Sequence, residues 1–300
     1  MKKVESLSLE ELLKLGNEIR KKYMREEFEL CSITNAKSGL CSEDCKFCAQ
    51  SRKYKTGAKI YRMKEEEIIM EEARRAKKMK AKRFGIVASG KKVSREEVKK
   101  VANVGKKIKE KIGIKVCASL GMIEEEELQF LKDNGISRYH HNIETSERFF
   151  PKIVTTHSFS ERVKTIEKAK KVGLEVCSGG IIGMGEEEAD RIAMAELLNE
   201  LEVKSVAINI LVPIKGTPLE GVRLLSIKEI LRTIALFRVI LKDKIIKIAA
   251  GREAILKEFE VLAFMGGANG MIIGDYLTLK GRKPEEDLKL IAGIKELWNG

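Results

Sequence analysis

Three hundred residues, 43% hydrophobic and 34% charged, describe a globular chain with ample core, neither disordered nor fibrous. No apolar run reaches the ~18 residues of a membrane span, and the opening MKKVESLSLEELL leads into an amphipathic helix rather than a signal-peptide core, so a cytoplasmic protein is expected. The net charge of +13 comes from 58 basic and 45 acidic residues, but the signs interleave along helical stretches and aromatics are only 5% of the chain, which argues for solvated helix faces over a nucleic-acid surface. The Lys, Glu and Ile bias suits a heat-adapted protein.

An opening helix near residues 7–24 is followed by alternating apolar β-rich runs and amphipathic stretches. Candidate strands are FELCSIT (28–34), RFGIVAS (83–89), KVCASLG (115–121), RYHHNIE (138–144), EVCSGGII (175–182), SVAINILV (205–212), IIKIAAG (245–251) and GMIIG (270–274). Ser94 with Glu97, and Ser158 with Glu161, form capping boxes that open two helices. Gly173 has the placement of a helix C-cap. Eight strands each followed by a helix predict an α/β protein of the (β/α)8 barrel type with an additional N-terminal helix. No strand opens into the GxGxxG turn of a doubly wound sheet, and no linker divides the chain, so 1–300 is expected to be one domain, with a final helix at about 284–298.

In such a barrel chemistry collects where strands end. The loop after the first strand, residues 36–52, carries Cys41, Cys45 and Cys48 as C-x3-C-x2-C. Three thiolates from one tight loop suit a soft metal or an iron–sulfur cluster with one open position. A structural zinc completed by a distant residue is the other reading at this point. Three further cysteines, Cys31, Cys117 and Cys177, lie mid-strand. A long chain of this kind is a poor disulfide framework, which favours metal binding or catalysis for its cysteines.

The cysteine loop on a βα-barrel, with Phe47 before its last cysteine, resembles the radical S-adenosylmethionine (SAM) superfamily. The runs CSEDCKFCAQS, YHHNIETS, TTHSFSERVKTIEKAKKVGLEVCSGGIIGMGE, SVAINILVPIKGTPLE, AAGRE and FMGGAN narrow the resemblance to the biotin synthase family, from about residue 28 to 290. That resemblance implies a radical SAM sulfurtransferase that inserts sulfur into dethiobiotin. A 4Fe–4S cluster on Cys41, Cys45 and Cys48 would bind and cleave SAM, and an auxiliary iron–sulfur cluster would act as sulfur donor. It further implies a low-potential electron donor such as flavodoxin or ferredoxin, and a homodimer.

Carried over residue by residue, Asn142 and Glu144 match positions that hold the SAM ribose, with Glu in place of the usual Asp, and alternation along the fourth strand would point both inward. Asn142 also counts, with His140 and Asn209, among the substrate-side positions. Phe47, Gly179 and Gly180 fall on the cofactor side, the glycines allowing SAM to lie against the strand. Cys117, Cys177 and Arg252 match ligands of the auxiliary cluster. The family's remaining ligand, a cysteine in an RFC run, is Gly85 here, and Cys31 on the neighbouring strand is the candidate replacement. Other radical SAM enzymes, such as hydrogenase-cofactor maturases or mutases, need no sulfur donor in the lumen. A non-catalytic iron–sulfur carrier would leave the polar positions without purpose.

Overall fold

The computed structural model describes residues 2–299. The elements run α1 (Lys2–Glu5), α2 (Leu9–Met24), β1 (Glu29–Lys37), α3 (Glu66–Lys78), β2 (Arg83–Ala88), α4 (Arg95–Lys111), β3 (Lys115–Ser119), α5 (Glu125–Asp133), β4 (Ile136–His140) and α6 (Phe159–Lys171). They continue with β5 (Glu175–Ile182), α7 (Glu188–Glu200), β6 (Ser205–Ile210), α8 (Ile227–Leu241), β7 (Ile245–Ile248), α9 (Glu260–Met265), β8 (Gly270–Ile272) and α10 (Pro284–Asn299). The eight strands pair in parallel, in sequence order, and β8 closes on β1. The (β/α)8 architecture read from the alternation is the one the chain adopts.

Local sequence explains the helix starts. Both predicted capping boxes form, and Ser8 with Glu11 and Ser226 with Glu229 add two more, so each hydroxyl satisfies an orphan backbone N–H while the carboxylate reaches back. Gly173 follows Val172, the C-cap of α6, at φ 79°, the left-handed turn that ends a helix. The N-terminal helix packs outside the barrel: Leu12 of α2 joins Ala235 and Leu236 of α8 in a small apolar cluster. The Arg20 guanidinium lies 3.8 Å from the Trp298 ring centroid, which ties α2 to α10.

Several strand boundaries differ from expectation, and the one at β4 bears most on the site. β4 starts at Ile136 and ends at His140, so Asn142 and Glu144 lie beyond it and strand alternation does not aim them. Glu144 instead takes φ 71°, and its backbone pairs with Gly180 of β5. A side chain in this left-handed region is uncommon and needs surrounding structure to hold it. The β5 glycines supply that room: a Cβ at Gly180 would stand 2.2 Å from the Glu144 carbonyl oxygen.

Candidate functional site

A chamber of about 410 Å³ occupies the upper lumen and the mouth formed by the loops after the strands. Its outer part is built by the loop after β1. The backbone of that loop closes on itself through Cys41 N–H to Gln50 C=O (3.0 Å), Arg52 N–H to Cys41 C=O (2.9 Å) and Cys48 N–H to Cys45 C=O (2.9 Å). Cys41, Cys45, Cys48 and Phe47 all line the chamber. Burial pushes the three thiols up, Cys48 to about 11, despite the Arg162 guanidinium nearby. Such thiols need a metal to become thiolates. Among the described residues, no three or more His, Cys, Asp or Glu side chains are placed to hold a single metal ion. Three thiols of one short loop facing one space are the donor set of an iron–sulfur cluster with one open corner.

Next to these thiols lies a polar network. Asn142 donates to Glu144 Oε2 (3.2 Å), and Arg162 donates to the Asn142 carbonyl (2.9 Å) and Glu144 Oε1 (3.4 Å). Arg162 Nε also donates to His157 Nε2 (3.0 Å), which leaves His157 Nδ1–H to donate to Glu43 of the cysteine loop (2.5 Å). Burial and Arg162 lower the His157 pKa, in keeping with a neutral ring. The network thus locks the loop to the segment after β4. Asn142 Oδ1 is buried without a partner, an acceptor open to a ligand hydroxyl. Asn209 of β6 lines the same chamber, spending one N–H on the Gly180 carbonyl and its oxygen on Ala250 N–H (both 3.2 Å).

Deeper in the lumen stands a second set of thiols. Cys31 (β1), Cys117 (β3) and Cys177 (β5) are buried and line the chamber. Three cations and two carboxylates accompany them. Glu29 pairs with Arg138 (2.6 Å), Arg83 (3.1 Å) and Lys247 (3.3 Å), while Glu175 receives Arg83 (2.6 Å) and Arg138 (3.0 Å). Lys247 Nζ is also 3.4 Å from Cys31 Sγ, and Arg83 Nη1 is 4.0 Å from Cys117 Sγ. Burial opposes charge on Cys177, but Lys247, His140 and Arg138 outweigh it and bring the thiol down to about 5. Burial wins at Cys31, pushed up to about 12, and also raises Cys117.

Gly85 faces this chamber in register with Cys117, and a Cβ there would come 3.1 Å from the Ile33 side chain. Cys31 pairs in register with Arg83, two residues below Gly85 on β2, so its sulfur enters one layer deeper in the barrel.

Three expected positions fall elsewhere. Arg252 is fully buried but does not line the chamber: its guanidinium is committed to Glu260 and to Asp287 (2.7 Å), behind the turn after β7. The luminal cation from this part of the chain is Lys247, on β7 itself. Gly179 and Gly180 do not line the chamber either. Cβ atoms there would meet the Ala207 oxygen at 2.0 Å and the Glu144 oxygen at 2.2 Å, so neighbouring backbone by itself demands these glycines. Sequence reasoning also passed over Glu29, Arg83, Arg138 and Lys247. Their signal was present: each is a charged residue inside an apolar strand, and Glu29 lies two positions from Cys31 on the same face.

Comparison with known proteins agrees with this layout. The Radical SAM superfamily model matches residues 37–198, and the Biotin and Thiamin Synthesis associated domain matches 207–294. A biotin synthase of Thermotoga petrophila is 53% identical over 298 residues, covering 99% of this chain and 98% of the relative. In three dimensions, methylornithine synthase superposes with a TM-score of 0.81 at 21% identity, over 99% of this chain and 91% of that one. An FeFe-hydrogenase maturase of Carboxydothermus hydrogenoformans gives 0.79 at 16%, over 97% and 76%. These two share the barrel fold.

Proposed function

The chain belongs to the biotin synthase family of radical SAM enzymes, and from that premise we propose how its residues divide the work of inserting sulfur into dethiobiotin. The carrying observation is two thiol triads at two depths of one chamber, with polar ligand-binding groups beside them. An unactivated C–H bond offers a side-chain base nothing to remove, so a 4Fe–4S cluster with SAM supplies the one-electron chemistry. Cys41, Cys45 and Cys48 hold that cluster. Asn142 and Glu144 receive the SAM ribose hydroxyls, and Arg162 fixes both by gripping the Asn142 carbonyl and the Glu144 carboxylate. Arg162, His157 and Glu43 act as positioning residues that keep the cluster loop over this segment. Asn209 and His140 face the substrate, Asn209 with one amide hydrogen free for a urea-like carbonyl.

Cys31, Cys117 and Cys177 hold the auxiliary iron–sulfur cluster that supplies the sulfur, with Lys247 in the place first expected of Arg252. The three surrounding cations support this reading, because they offset the charge that three thiolates bring into a buried space. A low-potential donor such as flavodoxin or ferredoxin, a homodimer, a cytoplasmic setting and a single barrel domain complete the proposal on family grounds.

Anaerobic incubation of the iron- and sulfide-loaded protein with SAM, reductant and dethiobiotin is expected to yield biotin and 5′-deoxyadenosine. Deoxyadenosine formed at a rate indifferent to dethiobiotin, without biotin, would remove this assignment.

A further inference from the structure

Part of the charge on this protein is paired. Lys37 meets Glu97, Lys91 meets Glu161, Lys107 meets Glu66 and Lys168 meets Glu124, all between neighbouring elements. One acid-free segment directly adjoins the cysteine loop. Residues 45–64 contain no Asp or Glu, and five exposed cations, Arg52, Lys53, Lys55, Lys59 and Arg62, stand there without an ion pair among the described residues. The nearest preceding carboxylates are turned to other work: Glu43 accepts from His157, and Asp44 is held by the Thr155 and Thr156 backbone and hydroxyl groups.

Lys59 and Arg62 flank an exposed Ile60 in the chain, and Arg52 bonds to Cys41, the residue after an exposed Leu40. Leu40 is 66% exposed and Ile60 63%, the two most exposed large apolar side chains among the described residues. The two are neighbours: a Cβ on Gly39 would lie 2.7 Å from the Ile60 side chain, and Ser38 bridges Tyr61. Leu40 has φ 53°, a conformation a leucine adopts only when the surrounding chain imposes it. Its next residue is Cys41, whose side chain lines the chamber and whose carbonyl accepts from Arg52 N–H. None of the five cations lines the chamber. An apolar centre with a charged rim, one residue from a cluster thiol, is the anatomy of a protein docking site.

We propose that the Leu40–Ile60 patch with its rim of Arg52, Lys53, Lys55, Lys59 and Arg62 docks a small acidic electron-carrier protein, which delivers electrons to the cluster behind Cys41. The proposal rests on the reading of Cys41, Cys45 and Cys48 as cluster ligands. One electron leaves the reduced carrier and enters the cluster; the carrier is oxidised and the cluster reduced by one. Charge complementarity selects the occupant. A second copy of this chain, docked by a two-fold axis, would bring the same cations together and be repelled. A single-stranded nucleic acid would need stacking faces, but Tyr54 and Tyr61 turn their hydroxyls inward, to the Asp44 and Asn35 carbonyls. An acidic carrier meets both the rim and the functional need for proximity.

The test uses the cluster-loaded protein and a flavodoxin. Binding of oxidised flavodoxin is measured by titration calorimetry, and SAM cleavage is driven either by reduced flavodoxin or by reduced methyl viologen, a small cation that needs no docking site. For the wild type, binding should weaken steeply between about 50 and about 300 mM salt. In the triple variant Lys53→Glu, Lys55→Glu, Lys59→Glu, affinity and flavodoxin-driven cleavage should both fall at least about tenfold, with viologen-driven cleavage within about twofold of wild type. The neutral triple Lys→Gln should fall between. Unchanged flavodoxin affinity in both triple variants, or wild-type affinity indifferent to salt, overturns the proposal. So does a variant that loses its dimer, by light scattering, while binding flavodoxin normally. If viologen-driven cleavage also falls in a variant, the cluster has been damaged and the titration, which needs no turnover, decides. A wild-type protein that binds flavodoxin yet cleaves no SAM with either donor overturns the cluster reading, and this inference with it.

Discussion

At the scale of single residues, the two thiol sets make separable predictions. Cys45→Ala should abolish reductive SAM cleavage with the far-ultraviolet circular dichroism unchanged, because the loop lies outside the strand ladder. Cys31→Ser should lose the auxiliary cluster, keep the SAM cluster and cleave SAM without making biotin; iron and sulfide content with Mössbauer spectra tells the two apart. The Lys247→Met and Arg252→Met pair distinguishes the luminal cation from the structural one. Lys247→Met should deplete the auxiliary cluster, since Lys247, with His140 and Arg138, draws the Cys177 thiol down and stands 3.4 Å from Cys31. Arg252→Met should instead lower the melting temperature of the protein regardless of cluster loading, since it leaves Asp287 and Glu260 buried beside each other with a partner removed.

At the scale of elements, the helices are stabilised locally and the site is not. Ser94→Ala removes one capping box, at a cost of about 1 kcal/mol in denaturant unfolding and with no effect on SAM binding, because α4 lies outside the barrel. Gly180→Ala is different. The added methyl group would overlap the Glu144 carbonyl, so the cost should exceed about 2 kcal/mol, and Glu144 should lose its left-handed turn. SAM affinity, measured by equilibrium dialysis, should then fall together with stability. An intact SAM affinity in Gly180→Ala would show that the segment after β4 is positioned by something other than its contact with β5.

At the scale of the whole molecule, Glu29 acts as a clasp at the base of the lumen, joining β1 to β2, β4 and β7 through Arg83, Arg138 and Lys247. Burial would raise its pKa, but the three cations win and hold it near 2 against an ordinary 4.5. A carboxylate whose pKa is lower folded than unfolded adds stability above the unfolded value and loses it as pH falls. The cluster-free protein should therefore lose stability from about pH 4.5 down to about 2. Glu29→Gln should start less stable at pH 7 and show a flatter acid limb in a pH series of denaturant melts. Equal acid limbs in the two proteins would place the acid sensitivity elsewhere.

The sequence by itself determined the barrel, because alternation of β-rich runs and amphipathic helices is a local, periodic property. It also determined the cluster loop, because Cys41, Cys45 and Cys48 lie within eight residues and need no long-range folding to meet. Resemblance carried the family and the ring of Asn142, Glu144 and Asn209. What tertiary structure alone decided was which side chains share the lumen. Arg252 and Lys247 are five residues apart in the same run, yet only the point where β7 ends, at Ile248, shows which of them faces the thiols. Glu144 reaches the chamber by a left-handed turn against β5, not by strand parity. The network of Glu29 with three cations from three other strands is invisible until the barrel closes, because partners separated by 54, 109 and 218 residues are brought together only by strand register.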